Sequence, residues 1–323
     1  MHGSVSRRTF FRYALGFYVL AAGRSVFASS AAFQRLPSNF RSIYSDLDLR
    51  RQFFPFLVNV FHLYPEDRFD RLIGDLSTQY TTDAEIYQSL AKRLPEITPP
   101  LSTLRYALPS LRKQKREMAQ QTADLLGEKR SIDGYVEIGT TGRYLNTLRK
   151  HLRISGKRYV VNDESPIYSA EDIFERGQVS KIGQYVAMGD YEAFDREHVA
   201  PASVELVTNY IGFHHAPAPK LDGFVTAIAR VLKPGGTLVV RDHDVDRPAM
   251  DAIVALAHDV FNAGVGIPWN RNEAQIRNFR SVADLTQYLE QRGFRRQNAV
   301  RLQSGDPTQN TLMAFRRTGA TVA

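Results

Sequence analysis

Two patterns of hydrophobic residues divide the chain near residue 130. Before this point, apolar residues recur at intervals of three and four, the period of an amphipathic helix. The pattern predicts helices over about 46–61, 66–80, 82–94 and 110–126. After this point, short apolar runs alternate with helical stretches, and the runs predict strands at 135–138, 159–161, 184–188, 204–208 and 237–240. Such alternation is typical of a mostly parallel sheet covered on both faces.

Turn and breaker residues refine these elements. Asp46 or Asp48, and later Thr82 or Asp83, are side chains that can cap a helix N-terminus, and Pro95 is expected to end the helix before it. The last two apolar segments, 294–302 and 311–316, are separated by the turn-forming residues 304–307. They predict an antiparallel hairpin at one edge of the sheet.

A glycine-bearing turn follows the first predicted strand. Gly139-Thr140-Thr141-Gly142 comes directly after 135–138, and a helical pattern is predicted from Tyr144 to Leu152. Strand, glycine turn and helix open a nucleotide-binding unit, because glycine lets a ligand approach the backbone and the helix presents free N–H groups. The spacing lacks the three glycines of the dinucleotide fingerprint. A tight turn that binds nothing is the alternative.

Polar residues also follow the later strands. In a doubly wound sheet, ligands bind outside the carboxyl ends of the strands, where the strand order reverses. We therefore expect one edge of the sheet to carry Glu137 to Thr141, Asp163, Asp190, Asn209-Tyr210 and Asp242-His243-Asp244.

Five motifs in order resemble those of class I S-adenosylmethionine-dependent methyltransferases. They are Glu-x-Gly-x-x-Gly at 137–142, Asp-x-Ser-Pro at 163–166, Gly189-Asp190, the histidines after the fourth strand, and Leu-Lys-Pro-Gly-Gly at 232–236. The resemblance covers about 131–317. It implies an α/β fold, namely a Rossmann-like, doubly wound, mostly parallel sheet with a C-terminal antiparallel hairpin. The methyltransferase domain would span 131–323, after a helical extension at 33–130 that covers the substrate entrance.

The same resemblance implies roles for residues that bind the cofactor S-adenosyl-L-methionine. Asp163 would accept hydrogen bonds from the ribose hydroxyls, and Asp190, after Gly189, would accept one from the adenine amino group. Glu137 would lie near the amino end of the cofactor, and Asn209 and Tyr210 beneath the sulfonium. The main chain of the turn would approach the methionine part through Gly139, Thr140, Thr141 and Gly142. Thr141 and Arg143 stand where the commoner motif has further glycines.

Candidate catalytic residues come from the ends of the fourth and fifth strands. Histidine titrates nearest to neutral pH, so His214, His215 and His243 are candidate proton acceptors. Asp242 or Asp244 is expected to orient His243 or to bind a cationic acceptor. Packing or capping is the alternative role of these histidines. A metal held by His214, His215, His243 and a carboxylate is conceivable from residue type. No single element carries the ligand spacing of a metal site, however, and we predict no metal from the sequence.

Composition excludes several classes of protein. The 323 residues include no cysteine, which excludes disulfides, thiolate metal sites and cysteine nucleophiles. The formal net charge is +8, but the first 32 residues carry four arginines and no acidic residue. Without them the charge falls to +4, so we expect no nucleic-acid partner.

The N-terminus resembles a twin-arginine export signal. Residues 6–12 read Ser-Arg-Arg-Thr-Phe-Phe-Arg, an apolar segment follows at 13–23, and small residues suited to a signal peptidase follow up to Ala32. This predicts a signal peptide over 1–32, the twin-arginine translocation machinery as a partner, and a periplasmic protein. An N-terminal arm of a cytoplasmic protein is the alternative. Export raises the question of cofactor supply, because S-adenosylmethionine is made in the cytoplasm.

The sequence thus predicts a methyltransferase that acts on a small-molecule acceptor. An NAD(P)-dependent oxidoreductase is a rival, disfavoured by the missing third glycine. A non-catalytic binding protein that keeps the fold is a rival from another class. Neither the acceptor atom nor the oligomeric state follows from the sequence.

Overall fold

Helices build the first part of the structure, a computed structural model that describes residues 37–167, 169, 173, 182–194 and 196–319. The predicted export signal lies outside the described residues. The first helices are α1 (Asn39–Tyr44), α2 (Leu47–Phe56), α3 (Glu66–Gln79), α4 (Asp83–Ile97) and α5 (Leu108–Leu125), with π-helical turns at Leu57–Phe61 and Thr103–Ala107. No helix in the described part of the chain is long and apolar enough to span a membrane.

Side chains define where these helices begin. The carboxylate of Asp46 accepts hydrogen bonds from the main-chain N–H groups of Asp48 (2.8 Å) and Leu49 (3.0 Å) at the start of α2. Thr82 and Glu85 form a capping box at the start of α4. Both caps satisfy N–H groups that have no partner inside the helix. The predicted caps are confirmed, whereas α4 continues to Ile97, two residues beyond the proline that was expected to end it.

A mixed sheet of seven strands forms the second part. The strands are β1 (Ser131–Ile138), β2 (Arg153–Asn162), β3 (Gln184–Ala187), β4 (Val204–Asn209), β5 (Leu232–His243), β6 (Phe294–Leu302) and β7 (Asn310–Arg317), and the helices among them are α6 (Leu145–Leu148), α7 (Ala218–Val231), α8 (Pro248–Gly264), α9 (Trp269–Glu273) and α10 (Val282–Glu290). The spatial order is β3-β2-β1-β4-β5-β7-β6. Strands β1 to β5 are parallel, and β7 runs antiparallel to both neighbours.

The predicted fold class is confirmed: an α/β, Rossmann-like sheet follows an N-terminal helical region and ends in an antiparallel hairpin. One local prediction is wrong. The helix expected from Tyr144 to Leu152 is the four-residue α6, because β2 already begins at Arg153. Tyr144, Leu145, Leu148 and Leu152 are buried as the pattern required, but Leu152 is packed from the loop before β2.

Three apolar clusters hold the layers together. One face of the sheet packs against α7 and α10, for example through Phe224 and Leu289. The opposite face packs against α5 and α6, for example through Met118 and Leu148. The third cluster joins α1 to α4 with α8, which lies between β5 and β6 in the sequence. The division of the chain at residue 130 stays a prediction, and across it the helical region shares a core with α8.

Candidate active site

The strand registers bring the predicted polar residues to one edge of the sheet. At the end of β1, Ile138 is paired with Val161 of β2 and with Asn209 of β4. Asn162 is paired with Ala187 of β3, and Asn209 with Val240 of β5. The five parallel strands therefore end together. The residues that follow them form one rim, although up to about a hundred positions separate them in the sequence.

Glu137 organises the glycine turn from inside. Its side chain is 0% exposed, and it accepts hydrogen bonds from the hydroxyls of Tyr135 (3.0 Å) and Thr140 and from the main-chain N–H of Tyr144 (3.1 Å). Thr140 Oγ1 in turn accepts from the N–H groups of Gly142 (3.1 Å) and Arg143 (3.2 Å). Burial raises the pKa of Glu137, and these hydrogen bonds oppose the shift. The carboxylate that was predicted to lie near the amino end of the cofactor thus holds the turn together.

Gly139 is required by both its backbone and its surroundings. Its φ is +80°, and a Cβ atom there would overlap the side chain of Ile211. Its N–H donates to the carbonyl of Val161 at 2.8 Å, which continues the pairing of β1 with β2 into the turn. The first glycine of the turn therefore lets Ile211 pack directly against the backbone.

Replacing Gly139 by alanine is expected to destabilise the protein by about 2–4 kcal/mol, from a left-handed alanine and an overpacked contact with Ile211. Gly319 provides the matched control, because its φ is also +80° but nothing lies within 4 Å of an added Cβ. Gly319→Ala is expected to cost only about 1 kcal/mol, since it carries the backbone penalty alone. Urea unfolding of both variants measures the difference. Equal losses would show that Ile211 yields without cost.

Two carboxylates lie together at the ends of β2 and β3. The main-chain N–H of Asp190 donates to Asp163 Oδ1 at 2.9 Å, and Lys220 Nζ lies 3.2 Å from Asp190 Oδ2. Asp190 has a φ of 55°, so the turn after Gly189 aims its N–H back at β2. Partial burial raises the pKa of Asp163, and the hydrogen bond from Asp190 opposes the shift. Both side chains stay partly exposed to solvent.

The Asp163–Asp190 pair and the glycine turn, which lie on the same rim, differ in how well they suit an adenosyl ligand. Asp163 and Asp190 fit it, because adjacent, partly exposed carboxylates can accept from two hydroxyls and an amino group. The glycines are already covered, Gly139 by Ile211 and Gly142 by Ile182. The N–H groups of Gly139 and Gly142 are also used inside the protein, on Val161 and Thr140. The residues present therefore fit the adenosyl part of S-adenosylmethionine, and the fit comes from the carboxylates.

A cavity of about 100 Å³, partly open to solvent, continues the rim beyond β4 and β5. It is lined from four directions: the loop after β4, the ends of β5 and β7, helix α8, and the N-terminal helical region. The last of these contributes Phe56, Val60 and Gln114. Apolar side chains alternate with polar ones around the wall, as in pockets for small organic molecules. The lining includes Tyr210, Ile211, His214, His215, Arg241, His243, His258, Phe261 and Asn310.

Asp242 is the buried anchor of this cavity. It is 2% exposed and accepts hydrogen bonds from His214 Nδ1 (2.5 Å) and from the main-chain N–H groups of Phe213 (2.8 Å) and His243 (2.9 Å). Burial alone would raise the pKa of Asp242, but the charge and hydrogen bond of His214 outweigh it and lower the pKa. Asp242 was expected to orient the ring of His243. It orients the ring of His214 instead, while Asp244 accepts from the N–H of Val282 at 2.8 Å.

The remaining histidines are held in place by main-chain carbonyls. His243 Nδ1 lies 3.1 Å from the carbonyl of Thr308, and His215 Nδ1 lies 3.1 Å from that of Ile276. Burial, and then the electrostatic effect of His214, lowers the pKa of His243 to about 3. The same two causes lower the pKa of His215 and of His258 well below the usual value. These three rings are therefore neutral at pH 7.

Residues 136–240 match the protein family described as "Methyltransferase domain". The central part of the chain therefore matches a methyltransferase domain. The match begins in β1 and ends in β5, so it contains the glycine turn, the Asp163–Asp190 pair and the loop with His214 and His215. No curated protein matches the chain.

Solved structures similar to this chain include two methyltransferases that are named for small-molecule substrates. The Burkholderia thailandensis 1,6-didemethyltoxoflavin-N1-methyltransferase, with 1,6-didemethyltoxoflavin and S-adenosylhomocysteine bound, is 14% identical, with 63% of this chain and 78% of that chain covered and a TM-score of 0.42. The mitomycin 7-O-methyltransferase MmcR is 15% identical, with coverage of 81% and 70% and a TM-score of 0.43. With TM-scores this low, neither carries an argument about this chain.

Sequence reasoning missed several residues that line the cavity. His258 lies in the middle of α8, and a single histidine in an apolar helix gives no signal of which cavity it faces. Phe56 belongs to the core of the helical region and also lines the cavity, which its place in the apolar pattern of α2 does not reveal.

Proposed function

We propose that the chain transfers the methyl group of S-adenosylmethionine to a small-molecule acceptor bound in the histidine-lined cavity. One observation carries this proposal. Ile211 packs against Gly139 of the glycine turn and also lines the cavity, so the cofactor rim and the cavity share a wall.

On the cofactor side, Asp163 would hold the ribose hydroxyls and Asp190 the adenine amino group. When bound, S-adenosylmethionine supplies an electrophilic methyl group on its sulfonium. The buried hydrogen bonds of Glu137 hold the shape of the glycine turn. A contact of Gly139, Thr140, Thr141 and Gly142 with the methionine part stays a prediction. Asn209 and Tyr210 would lie beneath the sulfonium. The Tyr210 hydroxyl is 2.7 Å from that of Thr122 in α5, which fixes the position of its ring.

On the acceptor side, the Asp242–His214 pair presents one defined atom to the cavity. When the His214 ring is neutral and its Nδ1 donates to Asp242, the lone pair lies on Nε2. That lone pair can hold an electron-poor partner such as the proton of an acceptor hydroxyl. Phe56, Val60 and Phe261 make much of the remaining wall apolar, which excludes water and aligns a flat acceptor. His243 and His215 complete the polar end.

The test is a turnover assay on the full chain without an affinity tag. The protein is incubated with S-adenosylmethionine and a panel of small aromatic alcohols, phenols and amines, and S-adenosylhomocysteine is measured by mass spectrometry. At least one acceptor is expected to raise its release tenfold or more over acceptor-free protein. His198→Ala, at an exposed position away from the cavity, is the control that keeps this activity. S-adenosylmethionine binding without turnover would support the non-catalytic rival, and NAD binding in its place the oxidoreductase.

We also propose that residues 1–32 direct export by the twin-arginine route. The support is the order of Arg7-Arg8, the apolar segment and the small residues before Phe33. Replacing both arginines by lysine is expected to leave full-length protein in the cytoplasm, measured by fractionation and N-terminal sequencing. A mature protein that still begins at residue 1 in the unaltered chain would contradict export with cleavage.

A further inference from the structure

Three histidine rings from distant parts of the chain form a nearly regular triangle. The ring centres of His214 and His243 are 5.3 Å apart, those of His214 and His258 5.2 Å, and those of His243 and His258 5.4 Å. A tetrahedral zinc ion about 2.05 Å from one nitrogen of each of three imidazoles would place the ring centres about 5.2 Å apart. The spacing of the rings is therefore that of a three-histidine metal site.

The ring nitrogens converge on the interior of this triangle. One nitrogen from each ring lies within 4.8 Å of the others. The Nε2 atoms of His243 and His258 are 3.4 Å apart. Two nitrogens bound to one tetrahedral zinc ion are separated by about 3.3 Å, whereas an N–H···N hydrogen bond is usually near 3.0 Å. The pair thus has the separation of two ligands of one ion.

His214 supplies an independent observation. The residue is 3% exposed, and its Nε2 is buried with no hydrogen-bond partner in the part of the chain that the structure describes. A buried polar atom without a partner destabilises the folded protein. A cation bound at this atom would remove that cost.

The outer contacts of the cluster are those of metal-binding histidines. A ligand imidazole usually gives its other N–H to a carboxylate or a main-chain carbonyl, which fixes the tautomer and the ring orientation. His214 Nδ1 lies against the Asp242 carboxylate, and His243 Nδ1 against the carbonyl of Thr308. In both rings this leaves Nε2 as the atom with a lone pair. Asp259, the residue after His258, accepts hydrogen bonds of 2.8 Å from Asn272 and Arg277. These bonds fix the turn of α8 that carries His258.

We propose that His214, His243 and His258 bind one divalent transition-metal ion of the zinc type at the polar end of the cavity. Imidazole nitrogens without oxygen ligands select zinc and its neighbours over magnesium or calcium. Three protein ligands leave a fourth position open, the arrangement of catalytic rather than structural zinc sites. The sequence offered no such spacing because the ligands come from the loop after β4, the end of β5 and the middle of α8.

An ion at this position deepens the proposed function, although its binding does not depend on methyl transfer. The ion and an acceptor proton would use the same lone pair of His214. With the ion bound, the acceptor is therefore held through the open fourth position, where an oxygen or nitrogen atom is the preferred ligand. The substrate class is then a molecule with a hydroxyl or amino group that can bind zinc.

The experiment uses the tag-free full chain after treatment with a chelator and dialysis. Cobalt(II) is titrated in as the probe, since its visible absorption is strong in tetrahedral and weak in octahedral sites, and zinc(II) is then added as competitor. We expect an intense band that saturates at one cobalt per chain and is removed by one equivalent of zinc. Zinc alone is expected to raise the melting temperature, because it binds only the folded chain.

Variants assign the ligands. His258→Gln and His243→Gln are expected to weaken zinc binding at least 100-fold, while His198→Ala, an exposed histidine, leaves it unchanged. Two results with the unaltered chain would overturn the proposal: cobalt binding that saturates below a tenth of an equivalent per chain, or a weak, octahedral cobalt spectrum. Neither result depends on whether the variants fold. Full affinity in folded His258→Gln would overturn the assignment of that ligand set. Because none of these readouts involves S-adenosylmethionine, they succeed or fail separately from the methyl-transfer assay.

Discussion

Asp163→Asn is expected to weaken the binding of S-adenosylhomocysteine by about 10- to 150-fold, the loss of a charge-assisted hydrogen bond worth about 1.5–3 kcal/mol. The carboxylate lies at the end of β2 and is partly exposed, and its Oδ1 accepts a hydrogen bond from the main-chain N–H of Asp190. An asparagine can still accept that one bond, so the turn keeps its shape. It cannot accept from both ribose hydroxyls with the strength of an anion. Isothermal titration calorimetry measures the change.

Glu164 is the matched control for this prediction. It is the next residue, carries the same charge, and its main-chain carbonyl accepts from Asn162 Nδ2 at 3.0 Å. Glu164→Gln removes one negative charge from the same turn without touching the proposed ribose contact. Its affinity is expected to stay within about twofold of the unaltered chain. An equal loss in both variants would reduce the role of Asp163 to general electrostatics.

The second large effect concerns stability. Asp242→Ala is expected to destabilise the protein by about 3–5 kcal/mol, as when one partner of a buried ion pair or network is removed. The variant leaves His214 Nδ1 and the N–H groups of Phe213 and His243 without their common acceptor. Because the ring of His214 loses its anchor, turnover is expected to fall with stability. Urea unfolding measures the first loss and the methyl-transfer assay the second.

Asp246 is the control that separates the loss of a buried hydrogen-bonded carboxylate from the loss of a negative charge. It lies four residues further along, is exposed, and is 3.1 Å from Arg247 in a surface ion pair. Asp246→Ala is expected to change stability by less than about 1 kcal/mol, as for most exposed pairs. If Asp242→Ala lowers the free energy of unfolding by no more than Asp246→Ala, water must replace the carboxylate at its three donors, namely His214 Nδ1 and the N–H groups of Phe213 and His243.

Much of the sheet could be predicted from the sequence because its strands are buried on both faces. Short runs such as 159–161, or 204–208 with its single charged residue Glu205, mark such strands, and the glycine, aspartate or asparagine after each marks its carboxyl end. The rim then follows from parallel pairing alone. The four-residue α6 was missed because Leu145, Leu148 and Leu152 have helical spacing whether the last of them lies in the helix or in the loop beyond it.

The polar end of the cavity depends on packing that a local pattern does not contain. Asp242 orients the ring of His214 because the chain turns tightly at Gly212. An added Cβ at Gly212 would lie 2.6 Å from His214 Nδ1. The place of His258 depends on how α8 packs against the N-terminal helices, a contact between segments about 200 residues apart. Glu137 matched a family motif, but in the structure its carboxylate bonds to residues in and beside the glycine turn. Residue type alone does not reveal these partners.

Equilibrium dialysis of the purified full chain against S-adenosylmethionine and NAD, side by side, addresses the central claim most directly. The predicted result is one S-adenosylmethionine per chain, displaced by S-adenosylhomocysteine and weakened in Asp163→Asn, with no saturable binding of NAD. Saturable NAD binding in the absence of S-adenosylmethionine binding would contradict the claim that the carboxylates at the strand ends hold the adenosyl group of a methyl donor.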